Sequence, residues 1–231
     1  MKIISQVLNY FIPEICPYCQ ENFTENGLFC AECLVKLPAP GQNICKSCGG
    51  DLDLILDICS KCMKEKPAPW SDAICLFMMN SNVQHLVEQY KYNNKIEFLS
   101  QMADSASHKI QDSKIHFDCV TAIPLHFMKH LYRGYNQSAL LAKRIAIVTG
   151  IGYKNLLVRR KFTKTQTRLS GEERHKNLKG AFFSKNKAFI EKKDILLVDD
   201  VFTTGSTLRS ASEALLSSGA NSVTILVLAR R

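Results

Sequence analysis

Four Cys-x-x-Cys pairs crowd the first 62 residues: Cys16/Cys19, Cys30/Cys33, Cys45/Cys48 and Cys59/Cys62. Ten residues separate Cys19 from Cys30, and ten separate Cys48 from Cys59. Two residues between cysteines let both thiolates face one tetrahedral ion from a tight turn, and two such turns complete a four-cysteine shell. Gly49 and Gly50 beside Cys48, and Gly27 before Cys30, suit the sharp backbone of such knuckles. The spacing predicts two Zn2+ ions with a structural role, because four sulfur ligands leave no open position for water. Sequential ligation, first pair with second and third with fourth, is the expected arrangement; an interleaved cross-brace would use the same eight residues. A redox pair would stand singly in a βαβ unit, whereas four pairs in a region too small and polar to build its own core fit metal staples.

The compartment follows from the same cysteines. Met1 to Ile15 lacks the features of an export signal: Ser5, Gln6 and Asn9 interrupt its apolar residues and no small-residue cleavage site follows. No stretch approaches the roughly 18 apolar residues of a membrane span. A cytoplasmic protein with reduced cysteines is expected. Cys75 and Cys119 stand alone inside apolar runs and read as buried small hydrophobes.

Charge divides the chain. Residues 1–68 carry six Lys/Arg against eight Asp/Glu, whereas residues 69–231 carry 24 against 13. Between them Lys64-Glu-Lys-Pro-Ala-Pro-Trp70 holds two prolines that disfavour helix, so a linker is placed near Pro67 to Pro69. The expected domains are 1–68, the cysteine module, and 69–231. In the second, strands at Ala73–Met79, Cys119–Ile123, Ile195–Val198 and Val223–Leu228 alternate with helices at Val83–Tyr92, Glu97–Ile110, Asn136–Val148 and Ser206–Ser217. That alternation implies an α/β fold on a parallel sheet, with ligands beyond the carboxyl ends of its strands.

The most informative segment is Asp194-Ile-Leu-Leu-Val-Asp-Asp-Val-Phe-Thr-Thr-Gly-Ser-Thr-Leu208. A buried strand delivers Asp199 and Asp200 to its end, a turn of hydroxyls and glycine follows, and a helix starts near Ser206. Free amides and the positive end of the helix dipole suit a phosphate dianion. The two carboxylates would repel that phosphate, so they need vicinal hydroxyls, which donate hydrogen bonds to them. A ribose 5-phosphate satisfies both halves: diol on Asp199 and Asp200, phosphate on Thr203 to Thr207. A plain helix cap would explain one acid and one hydroxyl but not the whole run. A Walker B strand would require a Gly-x-x-x-x-Gly-Lys-[Ser/Thr] loop, which the sequence lacks.

Val198 to Thr207 resembles the phosphoribosyl-diphosphate (PRPP) motif of type I phosphoribosyltransferases, and the whole chain resembles the ComF family, a double zinc ribbon followed by a phosphoribosyltransferase domain. Further matches are Ile123-Pro-Leu-His126, Arg133-Gly-Tyr-Asn-Gln137 opening a helix, Arg159-Arg-x-x-Thr-x-x-Gln166, and Arg174-x-x-Asn177 with Gly180-Ala-Phe182. The resemblance implies a PRPP site of Pro124, Leu125, His126, Val201, Phe202, Thr203, Thr204, Gly205, Ser206 and Thr207. It implies Mg2+ with the PRPP, Asp199 and Asp200 on the ribose, and Arg159, Arg160 and Lys161 on a loop closing over the diphosphate. It also implies a role in natural transformation and DNA uptake, handling internalised single-stranded DNA beside other competence proteins such as the helicase and translocation machinery. A non-enzymatic single-stranded-DNA adaptor and a nucleotide-salvage phosphoribosyltransferase are the alternatives.

From Lys129 to Lys179 there are 13 Lys/Arg against only Glu172 and Glu173. Pyrophosphate leaves as a polyanion and needs basic groups and Mg2+, yet 13 cations exceed what one diphosphate requires. Phe127, Tyr132, Tyr135 and Phe162 are interleaved and could stack on unpaired bases. A solvated surface would use the same charges; the family resemblance favours a DNA groove with Lys129, Arg133, Lys161, Lys164 and Arg168 as its contacts.

Overall fold

The computed structural model describes residues 16, 18–19, 21, 29–30, 32–33, 36–52, 56–92, 97–125, 134–159 and 180–231. The one-turn helix α1 (Ser60–Met63) leaves Cys59 and carries Cys62. Next come β1 (Asp72–Met78), α2 (Ser81–Tyr92), α3 (Glu97–Ser113), β2 (Cys119–Ala122) and α4 (Gln137–Thr149). The chain continues through β3 (Leu157–Arg159), β4 (Phe182–Ser184), α5 (Lys187–Ile190), β5 (Asp194–Phe202), α6 (Ser206–Leu216) and β6 (Ser222–Arg230).

Four strands form one sheet in the order β1-β6-β5-β2, every pair parallel. The continuous apolar runs of β5 and β6 suit central strands covered on both faces. On one face, Val83 and Leu86 of α2, Met102 and Ala106 of α3, and Leu141 and Ile145 of α4 pack on Ile74, Leu76, Val120, Leu196, Val198 and Leu226. On the other, Leu208, Ala211 and Leu215 of α6 pack on Cys75, Ile195, Leu197, Val223 and Ile225, together with Leu156, Phe182 and Ile190. Cys75 and Cys119 are each 1% exposed in this second layer, as small buried hydrophobes. Among the described residues, no helix is long and apolar enough to cross a membrane.

The anticipated strands and long helices are all present, with ends shifted by a few residues. Among the described residues, four elements were not anticipated: β3 and β4, which pair antiparallel, and the single turns α1 and α5. Three or four residues are too few to display a period. The expectation for β5 was also too short: the strand runs through both acids to Phe202, and Asp199 pairs with Val227 on β6. Asp199 and Asp200 therefore lie within the strand near its carboxyl end. Leu196 and Val198 belong to the α2–α4 layer and Ile195 and Leu197 to the α6 layer, but past the acids Val201 joins the first and Phe202 the second. The two-residue alternation of a strand is thus interrupted at the carboxylate pair.

The cysteine segment packs on both layers. Cys16, Tyr18, Phe29, Cys30 and Cys33 join the α2–α4 core, whereas Cys45, Cys48 and Trp70 join the α6 core. Both reach the sheet at β1, where the Met78 amide donates to the carbonyl of Pro38 at 2.6 Å. Gly49 (φ 68°) sits directly on that strand, since a Cβ there would lie 2.9 Å from Cys75 Cβ.

Candidate functional site

The carboxyl ends of β2 and β5 draw three distant segments together. The Ile123 amide donates to the Val198 carbonyl at 2.9 Å, which sets half-buried Pro124 and Leu125 beside the start of the acidic pair. Asn136 caps α4, its side-chain oxygen accepting from the Ala139 amide at 3.3 Å while its Nδ2 donates to the Ile123 carbonyl at 2.9 Å. Ser138, in the first turn of α4, donates to Asp199 Oδ1 at 3.0 Å, and the Asp200 amide donates to the same oxygen at 2.9 Å. One Asp199 oxygen is thereby held in place. Both acids are half-buried.

Phe202 ends β5 and Thr203, Thr204 and Gly205 make the turn into α6. Gly205 occupies the N-cap with φ 68°, a left-handed conformation in which a side chain is strained. Its Cα also rests on rings: a Cβ would lie 2.8 Å from Phe202 Cζ and 3.4 Å from Trp70 Cη2. Thr203 and Thr204 are exposed, Ser206 is buried, and the Thr204 and Ser206 hydroxyls are 2.9 Å apart. The opening amides of a helix lack intrahelical acceptors and carry the positive end of its dipole, which favours negative charge at such a turn. Two carboxylates thus lie at the end of a strand, next to a hydroxyl-lined amide turn.

Trp70 supports this turn from below. It meets Phe202 edge to face, with ring centres 6.2 Å apart, and its Nε1 donates to the Ser47 carbonyl at 2.9 Å. The Arg209 guanidinium of α6 lies 5.8 Å from the Trp70 ring centre and donates to the carbonyls of Lys66 and Pro67, at 2.7 and 2.6 Å. The expected linker is therefore pinned to α6. Sequence reasoning passed over Trp70, Ser138, Arg209 and Arg230; the one available signal was that Trp70 is the sole tryptophan and follows Pro69.

The cysteines form two separate groups, Cys16, Cys19, Cys30 and Cys33, and Cys45, Cys48, Cys59 and Cys62, each with its sulfur atoms within 4.8 Å of one another. This is the sequential arrangement. The Sγ separations of 4.0 Å for Cys19–Cys30 and 3.9 Å for Cys48–Cys59 are close to the about 3.8 Å that tetrahedral Zn–S bonds of about 2.3 Å require. Both groups could hold a structural Zn2+. Burial pushes the thiols of Cys33, Cys48 and Cys62 upward, with neighbouring thiols adding to it at Cys33. At Cys59 burial pushes the same way, but the Cys62 amide and the neighbouring Cys62, Cys45 and Cys48 side chains outweigh it and bring the thiol down to about 7. Amides and a guanidinium already face these sulfurs: the Cys59 amide lies 3.3 Å from Cys45 Sγ, and Arg230 Nε 3.1 Å from Cys48 Sγ. Such donors stabilise metal-bound thiolate.

Of the other anticipated residues, Arg159 ends β3, half-buried with its guanidinium 5.4 Å from the Phe182 ring centre. Burial lowers its pKa while the charge of Asp199 raises it, which couples Arg159 electrostatically to Asp199. Thr207 is half-buried in the first turn of α6. His126, Lys129, Arg133, Arg160, Lys161, Lys164 and Arg168 lie outside the described residues, and with them most of the anticipated diphosphate loop and DNA groove.

The parallel sheet and its strand-turn-helix define a domain of the type I phosphoribosyltransferase fold, joined to two four-cysteine centres. The phosphoribosyl transferase domain family matches residues 135–231. Competence protein F of Haemophilus influenzae is 30% identical over 226 residues, covering 93% of this chain and 96% of that protein. The DNA utilization protein YhgH of Salmonella typhimurium is 28% identical over 222 residues, 94% of this chain and 90% of that protein. Competence protein ComFC of Streptococcus pneumoniae is 27% identical over 207 residues, 89% of each chain. The chain belongs to the ComF family of competence proteins.

Proposed function

We propose that this chain is a PRPP-binding, phosphoribosyltransferase-like protein of natural competence that handles single-stranded DNA. One observation carries the PRPP reading: adjacent carboxylates near the end of a parallel strand, followed by the turn Thr203-Thr204-Gly205 into α6. The 5-phosphate lies on the amides and hydroxyls from Thr203 to Thr207, and the ribose diol is received by Asp199 and Asp200. Pro124, Leu125 and His126 line the diphosphate from the β2 side, with Val201 and Phe202 completing the ribose-phosphate pocket. Mg2+ accompanies the diphosphate, and Arg159, Arg160 and Lys161 offset its charge. If transfer occurs, a nucleophile attacks the anomeric carbon as diphosphate departs, and the acids face the positive charge that develops on the ribose.

The DNA part of the reading is supported by the 13 cations between Lys129 and Lys179, and by relatives named for competence and DNA utilization. Lys129, Arg133, Lys161, Lys164 and Arg168 are the proposed contacts. A zinc module over residues 1–68, a transferase-like domain over 69–231 and a cytoplasmic setting complete the proposal. Calorimetry of the zinc-replete chain with PRPP and Mg2+ tests the ribose assignment: Asp200→Ala should abolish binding, and unchanged affinity would remove it. Salt-dependent affinity for single-stranded DNA should fall on reversing Lys161 and Lys164; an unaffected affinity would remove those contacts.

A further inference from the structure

A cavity of about 690 Å³ opens between the second four-cysteine knuckle and the phosphate turn. Ser47, Cys48, Lys61, Cys62, Glu65 and Lys66 form its knuckle wall, and Phe202, Thr203, Thr204 and Ser206 its turn wall. Trp70 lies between these walls, and Arg209, Arg230 and Arg231 complete the lining. Five cationic side chains from three separate parts of the chain therefore face one space against a single acidic side chain, Glu65.

Part of that surplus has an internal partner. A four-cysteine centre holding Zn2+ carries a formal charge of about −2 when all four thiols are ionised, and Arg230 lies on one of its sulfurs. Arg209 directs its donors to the Lys66 and Pro67 carbonyls. Lys61, Lys66 and Arg231, by contrast, have no carboxylate within ion-pair distance among the described residues. Like charges gathered at one mouth repel one another, and an anion relieves that repulsion. The volume lies in the range of small-ligand pockets and exceeds what one inorganic anion needs. Trp70 and Phe202 are largely buried against each other and border the cavity beside the hydroxyls, where they offer a heterocycle a small apolar contact next to the cations.

We propose that this cavity is a second binding site, for a phosphorylated nucleoside, either free or at the end of a nucleic-acid strand, with its phosphate toward Lys61, Lys66 and Arg231. It goes beyond the PRPP reading. The carboxylate pair is not among the lining residues, but Phe202, Thr203, Thr204 and Ser206 border both sites, so a molecule on the PRPP site and one in the cavity would meet at the turn. The cations on the knuckle wall also give that module a binding role besides its structural one.

Trp70 is the only tryptophan and lines the cavity, so its fluorescence reports on binding there or at the turn it supports, and the lysine variants separate the two. The zinc-replete full chain would be titrated with thymidine, thymidine 5′-monophosphate, and a five-residue oligothymidylate with or without a 5′-phosphate. Each arm would be followed by Trp70 emission and, in parallel, by calorimetry. Saturable binding of the monophosphate, at least ten-fold weaker binding of thymidine, and a ten-fold or greater loss in Lys61→Glu/Lys66→Glu would support the site. The milder Lys61→Gln/Lys66→Gln variant should lose a smaller factor and serves if the charge reversal disturbs folding. Tighter binding of the 5′-phosphorylated oligonucleotide than of the monophosphate would make a strand end the source, and the reverse a free nucleotide. Equal affinity for thymidine and its phosphate, affinity untouched by the lysine variants, or no binding in either readout would overturn the proposal. PRPP calorimetry on the same lysine variants separates the two readings: unchanged PRPP affinity with lost nucleotide affinity is the expected pattern. Loss of PRPP binding in Asp200→Ala alone speaks only to the other site.

Discussion

The two four-cysteine knuckles share their ligand spacing and differ in what they touch. The first, with Tyr18 and Phe29, joins the helical core of α2 to α4, and Tyr18 reaches across to α2 by accepting from Asn80 Nδ2 at 3.2 Å. The second lies in the α6 layer, places Gly49 on β1, bonds Trp70 through Ser47, and meets Arg230 at the end of β6. One staple therefore fixes the amino-terminal segment to the body of the domain, and the other forms part of the wall around the candidate site. Identical cysteine spacing can serve different mechanical ends when its surroundings differ, which is why spacing alone gave no reason to rank the two.

Removing ligands from each knuckle in turn should break the symmetry most visibly. Cys45→Ser or Cys59→Ser should release one zinc per chain and weaken PRPP binding by at least ten-fold, whereas Cys16→Ser or Cys30→Ser should release the other zinc with a smaller loss of affinity. Metal analysis combined with calorimetry reads both; equal effects on PRPP from the two sets would erase the distinction. A folded, zinc-replete Cys45→Ser or Cys59→Ser protein would refute the ligand set itself.

Gly205→Ala sharpens the same point without touching a metal. A Cβ must accept φ 68° and displace the Phe202 ring that Trp70 supports. The expected cost is about 1–3 kcal/mol of stability by denaturant unfolding, with a shift in Trp70 emission. Wild-type stability and spectrum would mean that the turn is looser than this packing implies.

Smaller effects are expected at the opposite end of the sheet. Asp118 accepts from Lys193 Nζ at 3.0 Å and from the Asp194 amide at 2.8 Å, and these partners, the amide first, hold its carboxyl below the usual range. Its contribution is complete above the unfolded-state value of about 4 and is lost as pH falls through the lower folded value. Asp118→Asn should therefore lose stability relative to wild type at neutral pH, with the gap closing in acid; a gap independent of pH would contradict the assignment. The smallest effect should come from Ser138→Ala, about 1 kcal/mol or less, together with a modest loss of PRPP affinity as Asp199 loses its guide.

Much of the fold was legible because its information is local. The apolar runs of β5 and β6, the periodicity of α4 and the Asp-Asp-x-x-Thr-Thr-Gly turn each lie within a short window. Cysteine spacing predicted both ligand groups for the same reason, since a knuckle is a turn. What escaped were relations between windows. Nothing near Trp70 announces that it will lie under Gly205, nor anything near Ser138 that it will hold Asp199, 61 residues away. The cavity belongs to this class too, because its cations come from residues 61–66, Arg209 and Arg230–Arg231 and converge only when the knuckle folds against the sheet. The interrupted alternation at Asp199–Asp200 likewise depends on packing to either side of the strand.

The central claim is most directly tested by a crystal structure of the zinc-replete chain with ribose 5-phosphate. The phosphate should lie within hydrogen-bond distance of the Thr203–Thr207 amides, with the ribose diol on Asp199 and Asp200. An empty turn, or the sugar phosphate lodged elsewhere with both carboxylates turned away from it, would contradict the account.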